Sequence, residues 1–233
     1  MSALREILGN SQYWGLTLSI GAYLFACWLK QKTKLAFLNP ILVSVIVIIA
    51  FLLGVGIDYD TYNKGASYLS WLLTPATVCL AIPLYKQLHL LKKHGAAVAV
   101  SITSGVATSA VSIFLMCRVL GLSHAHYVTL LPKSITTAIG MGVSEEAGGI
   151  VTLTVISIII TGVLGSVIGE IVCKLFRIQE PIAKGLALGT AAHAIGTSKA
   201  MEMGPVEGAM SSLAIAVAGL LTVVSASVFA QFM

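Results

Sequence analysis

Apolar runs alternate with short polar breaks along the chain, and within each run the apolar residues are continuous rather than every second one. Continuous runs of about 20 apolar residues predict membrane-spanning helices, because a helix satisfies its own backbone in lipid. The first predicted span covers 13–29 and stops at Lys30, Lys32 and Lys34. The second, 37–55, is entered through Asn39 and Pro40, proline being suited to a first helical turn. The third, 66–85, carries Pro75 and Pro83, which are expected to kink it. The fourth, 95–119, is rich in Ala, Ser, Thr and Gly. Small residues let helices approach closely, so this span is expected to be buried among others. Runs at 150–176 and 206–232 follow.

Two stretches break the pattern. Residues 127–148 and 182–204 mix glycine, proline, hydroxyls and charges within an otherwise apolar half of the chain. Ionisable groups at hydrocarbon depth are expensive and usually face a cavity or an ion path. Gly- and Pro-broken segments in corresponding positions of two halves point to a transporter-type site. TAIG at 137–140 resembles HAIG at 193–196, and each is followed by two glutamates and a long apolar run. The expected fold is therefore an all-α polytopic membrane protein with about six transmembrane helices and two re-entrant or broken segments, arranged as an inverted repeat. One membrane domain, 1–233, is expected, with a four-helix part over 1–126 and a polar broken-helix core over 127–233.

Composition agrees: 57% of residues are apolar and 10% charged, with a mean hydropathy of +0.95, where soluble domains carry about 25% charge. The net charge of +5 sits in short clusters between apolar runs, so it marks topology and not nucleic acid. Loops at 30–34, 86–94 and 173–184 hold three Lys or Arg each, against one each, Lys64 and Arg118, in the alternate loops. The positive-inside rule then puts the N-terminus outside and the basic loops in the cytoplasm. With that parity, 127–148 enters from outside and returns, and 182–204 enters from inside and returns. Arg5 and Glu6 before the first run, and lysines after it, do not make a cleavable signal peptide. Cys27, Cys79, Cys117 and Cys173 show no metal-ligand spacing and read as reduced packing residues.

Leu131-Pro132-Lys133-Ser134 reads as a helix start. Free N–H groups there, with Lys133, Ser134, Thr136 and Thr137, suit an anion. The alternative is a lysine snorkelling at the outer water boundary. Glu145 and Glu146 are read either as a coupling or ion-pairing site or as a solvated turn. Thr190, His193 and Thr197 share nearly one helical face, beside Ser198. A histidine there suits a carboxylate or a proton relay, or is a satisfied packing residue. Lys199, Glu202 and Glu207 are read either as ion pairs with one another that fix a re-entrant tip or as a coupling site in contact with substrate. Asp58 and Asp60 read as a solvated loop, and Glu170 as a group reaching polar surroundings. GSVIG at 165–169 marks close helix packing and points to a homo-oligomer, a dimer first. No nucleotide loop, zinc signature or G-x-S-x-G elbow is present, so neither an enzyme nor a cofactor is expected.

LPKSITTAIG at 131–140, SEEAGG at 144–149 and GTAAHAIGTSKA at 189–200 stand in an order and spacing that resembles the LrgB/CidB family, over essentially the whole chain. The resemblance implies two traditions of function. Bacterial members are holin- or antiholin-like factors that affect murein hydrolase export and lysis, while a plant plastid relative exchanges glycolate and glycerate and some bacterial systems are linked to pyruvate. A small LrgA/CidA-type membrane protein is an implied partner. Two polar broken segments suit a carrier better than a lesion-forming helix does. The expected function is therefore a secondary transporter of small hydroxy- or keto-monocarboxylates, with a holin/antiholin-like lysis modulator as the alternative.

Overall fold

The computed structural model describes residues 11, 13–33, 40–72, 75, 78–79, 81–86 and 88–233. Arg5, Glu6, Lys34 and Asn39 lie outside the described residues. Every regular element among those described is helical. The chain is an all-helical polytopic membrane protein, as the continuous apolar runs require. Among the described residues three helices are long and apolar enough to cross a bilayer, over Lys92–Val119, Val151–Leu175 and Pro205–Phe232, and Pro40–Val55 is a shorter apolar helix. Two compact units divide the chain at residues 1–79 and 80–233.

The first unit holds α1 (Trp14–Thr33), α2 (Pro40–Val55) and α3 (Tyr59–Trp71), with α1 packed on both others. The Ser19 hydroxyl lies 2.7 Å from the Tyr62 hydroxyl, and Trp14 meets the Tyr62 ring edge-on. Asp58 is not merely solvated: it starts α3 by accepting the Thr61 N–H at 2.9 Å and the Thr61 hydroxyl at 2.8 Å. Those bonds hold its carboxyl below the ordinary carboxylate range, the Thr61 backbone N–H being the largest cause. The single span expected over 66–85 is corrected. Helix α3 ends at Trp71 and a separate short helix, α4 (Ala81–Lys86), opens the second unit. The described break is the turn at Leu72, and Pro75, which supplies no N–H to a helix, is again helical beyond it.

The second unit continues with α5 (Leu88–Val119), α6 (His124–Leu130), α7 (Thr137–Glu146), α8 (Val151–Leu175), α9 (Pro181–Met203) and α10 (Pro205–Phe229). Helix α5 bends at His94, leaving 95–119 straight. Val98, Ile102 and Val106 of α5 pack with Leu186 of α9 and with Met210, Ala214 and Ala218 of α10. Ala110, Ile113 and Cys117 pack with Tyr127, Val128 and Leu131. The expectation that 95–119 is buried among other helices holds for one face only. Its opposite face, Ser101, Ser104, Thr108 and Ser112, is exposed.

Helices α6 and α7, with 7 and 10 residues, reach about 10 and 15 Å, well short of a bilayer core of about 30 Å. They form a closed excursion. The Ile150 N–H donates to Thr129 Oγ1 at 2.7 Å, so the chain returns to the place it left. The Thr154 hydroxyl lies 3.0 Å from the Thr129 carbonyl oxygen and 2.6 Å from Ser144 Oγ. Three buried hydroxyls thus tie α6, α7 and the start of α8 together.

Helix α9 is a second hairpin. Its backbone leaves the helical region at Ala192 (φ −130°, ψ 18°) and His193 (φ 42°, ψ −138°). Contacts show the reversal. A side chain added at Gly185 would strike the Glu207 carbonyl, and one at Gly189 the Ser211 carbonyl, so 181–191 runs parallel to α10. On the return limb Thr197 meets Ser211 at 2.7 Å and Met201 lies against Gly208, an antiparallel order. Gly165 and Gly169 of α8 receive Ala192 and Leu188 of this hairpin. The GSVIG face is therefore used within the chain, and the dimer expected from it has no free glycine face here.

The first hairpin closes at the start of α8 and the second begins beyond its end, so the two approach from opposite ends of a 25-residue helix. The TAIG/HAIG likeness falls on equivalent places. Both motifs open the limb that returns from a tip; Gly196 tucks against Leu188 of the incoming limb, while Gly140 tucks against Ile158 of α8 with the Pro132 carbonyl of the tip nearby.

Candidate functional site

The two tips meet α5 about halfway along it. Ser109 Oγ lies 3.4 Å from Ser134 Oγ of the first tip. Thr190 of the second hairpin sits where a side chain on Gly105 would strike its methyl group. Ser109 is ten residues from the end of α5 at Val119, about 15 Å along the helix. Both tips thus lie deep within the span.

Between them is a cavity of about 530 Å³ lined by Lys133, Ser134 and Thr190 together with the hydroxyl face of α5, including Ser104, Thr108 and Ser109. A narrow recess continues from Ser109, Ser134 and Thr190 to Thr222 and Ser225 of α10. The first tip is built from turns, so the helix start expected at 131–134 is corrected: α6 ends at Leu130 and α7 begins only at Thr137. The Lys133 N–H donates to the Leu130 carbonyl at 3.0 Å and the Ile135 N–H to that of Pro132 at 3.3 Å. This turn backbone leaves the Lys133 side chain free to reach inward, where its ammonium donates to Ser134 Oγ at 3.0 Å. Among the described residues Lys133 forms no salt bridge, and no acidic residue lines the cavity. Thr190, 8% exposed, has a buried hydroxyl oxygen without a hydrogen-bond partner.

The other expected site residues fall elsewhere. Thr136 is the residue before α7 and Thr137 its first residue, and neither lines the cavity. His193 is 4% exposed and its Nε2–H donates to the Ile158 carbonyl at 2.9 Å. Its ring lies against Gly162, where any side chain would collide with it. This is the satisfied packing reading, with the added task of pinning a reversal. The Thr197 hydroxyl is engaged with Ser211 and with the His193 carbonyl, and Ser198 is exposed. Glu145 and Glu146 are exposed at the end of α7.

The charged trio is corrected in part. Lys199 pairs with Glu202 at 3.6 Å, but its shorter bond, 3.1 Å, is to Glu170, which also holds Lys174 at 2.9 Å. Glu207 is buried in the first turn of α10 beside Gly204 and lines one charged cleft with Glu170, Arg177, Lys184, Lys199 and Glu202. Sequence reasoning missed Ser109 and the Thr129–Ser144–Thr154 hub. Hydroxyls or glycine at 101, 104, 105, 108, 109 and 112 recur at helical spacing, a signal that was present. Among the described residues no His, Cys, Asp or Glu cluster is arranged to hold a metal.

The family model described as LrgB-like matches residues 19–232. The chain belongs to the LrgB-like family. It is 39% identical over 222 residues to the "Antiholin-like protein LrgB" of Bacillus subtilis (strain 168), covering 95% of this chain and 96% of that protein. The proteins of the same name from Bacillus cereus (strain B4264) and Bacillus anthracis (strain CDC 684 / NRRL 3495) are each 39% identical over 221 residues, covering 94% of this chain and 96% of theirs. No solved structure matches. These relatives overturn the monocarboxylate-carrier reading and, with it, the small carboxylate substrate. Proteins alike over almost the whole length carry the antiholin-like name, which was the alternative. Paired hairpins around a polar cavity are an architecture, and architecture does not fix function.

Proposed function

We propose that this LrgB-like chain is an antiholin-like protein of the bacterial inner membrane that restrains holin-type permeabilisation, and with it murein hydrolase export and lysis. The observation that carries this reading is the 39% identity, spread over 95% of the chain, to a protein of that name. The distribution of Lys and Arg supports the inner-membrane placement. The implied partner is a small LrgA/CidA-type membrane protein, and the exposed apolar faces of α1 and α2 offer it surface within the bilayer. No catalytic step is assigned to any residue.

The test is lysis timing in bacterial cells that express a holin, with and without this chain, and with and without a small LrgA/CidA-type protein. Delayed lysis when the chain is present is expected, with the longest delay when both are. Unchanged lysis times in every combination would contradict the proposal.

A further inference from the structure

We propose that Lys133, Ser134, Ser109 and Thr190 form a binding site for a small inorganic oxyanion of the phosphate or sulfate type, held between the two hairpin tips. Three observations meet there. First, Lys133 brings an ammonium to the cavity and donates to Ser134 Oγ, and among the described residues no carboxylate lines the space around it. An uncompensated charge at this depth is costly, and an anion compensates it. Second, the Thr190 hydroxyl oxygen is buried with no partner, on a residue only 8% exposed that lines the same cavity and its recess. A buried unpartnered hydroxyl calls for an explanation, and a missing ligand supplies one. Third, the space is about 530 Å³, ample for an anion with some of its water.

The chemistry selects the class. An ammonium and three hydroxyls can all present donors, and the absence of an acidic wall rules against a cation. The donors come from three directions: the first tip, the second hairpin and α5. A tetrahedral anion, with acceptors pointing every way, meets such a set better than a planar group with two oxygens on one edge. Depth selects the source. Ser109 lies about 15 Å from the end of its helix, too deep for a lipid phosphate, so the ligand is a free ion. Occupancy would bridge the two tips and hold them against α5. This inference rests on the cavity and not on the antiholin reading.

The experiment is equilibrium binding of radiolabelled inorganic phosphate and sulfate to the purified full chain in lipid nanodiscs, at constant ionic strength. Saturable binding near one ion per chain is expected. Lys133→Met should weaken it tenfold or more, the isosteric Thr190→Val about fivefold, and Lys133→Arg should retain most of it. Lys184→Met, in the separate charged cleft, should leave it unchanged. Absence of saturable binding of both ions would overturn the proposal. So would binding left unchanged by Thr190→Val, or by Lys133→Met, or binding lost with Lys184→Met. Thr190→Val alters neither charge nor volume, so it decides the matter even if Lys133→Met fails to fold. Because the assay reads no lysis, its failure is distinct from failure of the antiholin reading.

Discussion

The first hairpin reverses through the turn backbone of residues 131–136, whereas the second reverses at His193, which sits at φ 42°. The first spreads its change of direction over several residues with their own hydrogen bonds, so the Lys133 and Ser134 side chains remain available to the cavity. The second concentrates it in a backbone conformation that costs a non-glycine residue about 1–3 kcal/mol unless its surroundings enforce it. The His193 ring, seated on Gly162 and bonded to Ile158, is that enforcement. A side chain that anchors a reversal is not free to act in the cavity. Two segments with related sequence thus divide the work: one tip presents charge, and the other is fixed in place and presents Thr190.

The sharpest way to break this comparison is to block the packing of one hairpin only. Gly189→Leu drives a side chain into the Ser211 carbonyl and Ala214 and is expected to cost about 3 kcal/mol or more, read as loss of monodisperse protein or a large fall in unfolding midpoint. Gly142→Leu on the first hairpin, where an added side chain meets nothing, should change the midpoint little. Next comes the reversal itself. His193→Ala should cost about 2–4 kcal/mol, since it empties a buried site and keeps an unfavourable backbone. His193→Gly should recover about 1 kcal/mol of that loss by easing the backbone alone. Equal midpoints for the two variants would remove strain from the account. Thr154→Val probes the first hairpin's closure and should cost about 1–3 kcal/mol, because it leaves buried hydroxyl and carbonyl partners unsatisfied. The smallest effect is expected of Lys199→Met, under about 1 kcal/mol, because Glu170 and Glu202 are both partly exposed.

Much of this was legible in the order of residues. Apolar run length located α5, α8 and α10, and loop charge parity required 127–148 and 182–204 to return to the side they entered. Leu131-Pro132-Lys133-Ser134, expected to start a helix, instead forms the turns of one tip, with α7 beginning at Thr137, and the HAIG motif falls beside the other. What was not legible was direction. Lys133 and His193 looked equally suited to a cavity, and only the placement of Gly162 across α8 shows that the imidazole points away. Ser109 hid in a helix whose small residues suggested packing. Glu170 hid because its partner Lys199 is 29 residues distant and also has Glu202 one turn away. The stretch around Pro75 was read as one kinked span because a proline marks a break without saying how far the helix resumes beyond it.

The claim that two hairpins enter from opposite faces is tested most directly by labelling with a membrane-impermeant thiol reagent. The background is the full chain with Cys27, Cys79, Cys117 and Cys173 replaced, carrying one new cysteine at a time. Ser123→Cys and Glu146→Cys, flanking the first hairpin, should label from one side of the membrane. Gln179→Cys and Glu202→Cys, flanking the second, should label from the other. Labelling of Ser123→Cys and Glu146→Cys from opposite sides would make 127–148 a crossing segment and contradict the account.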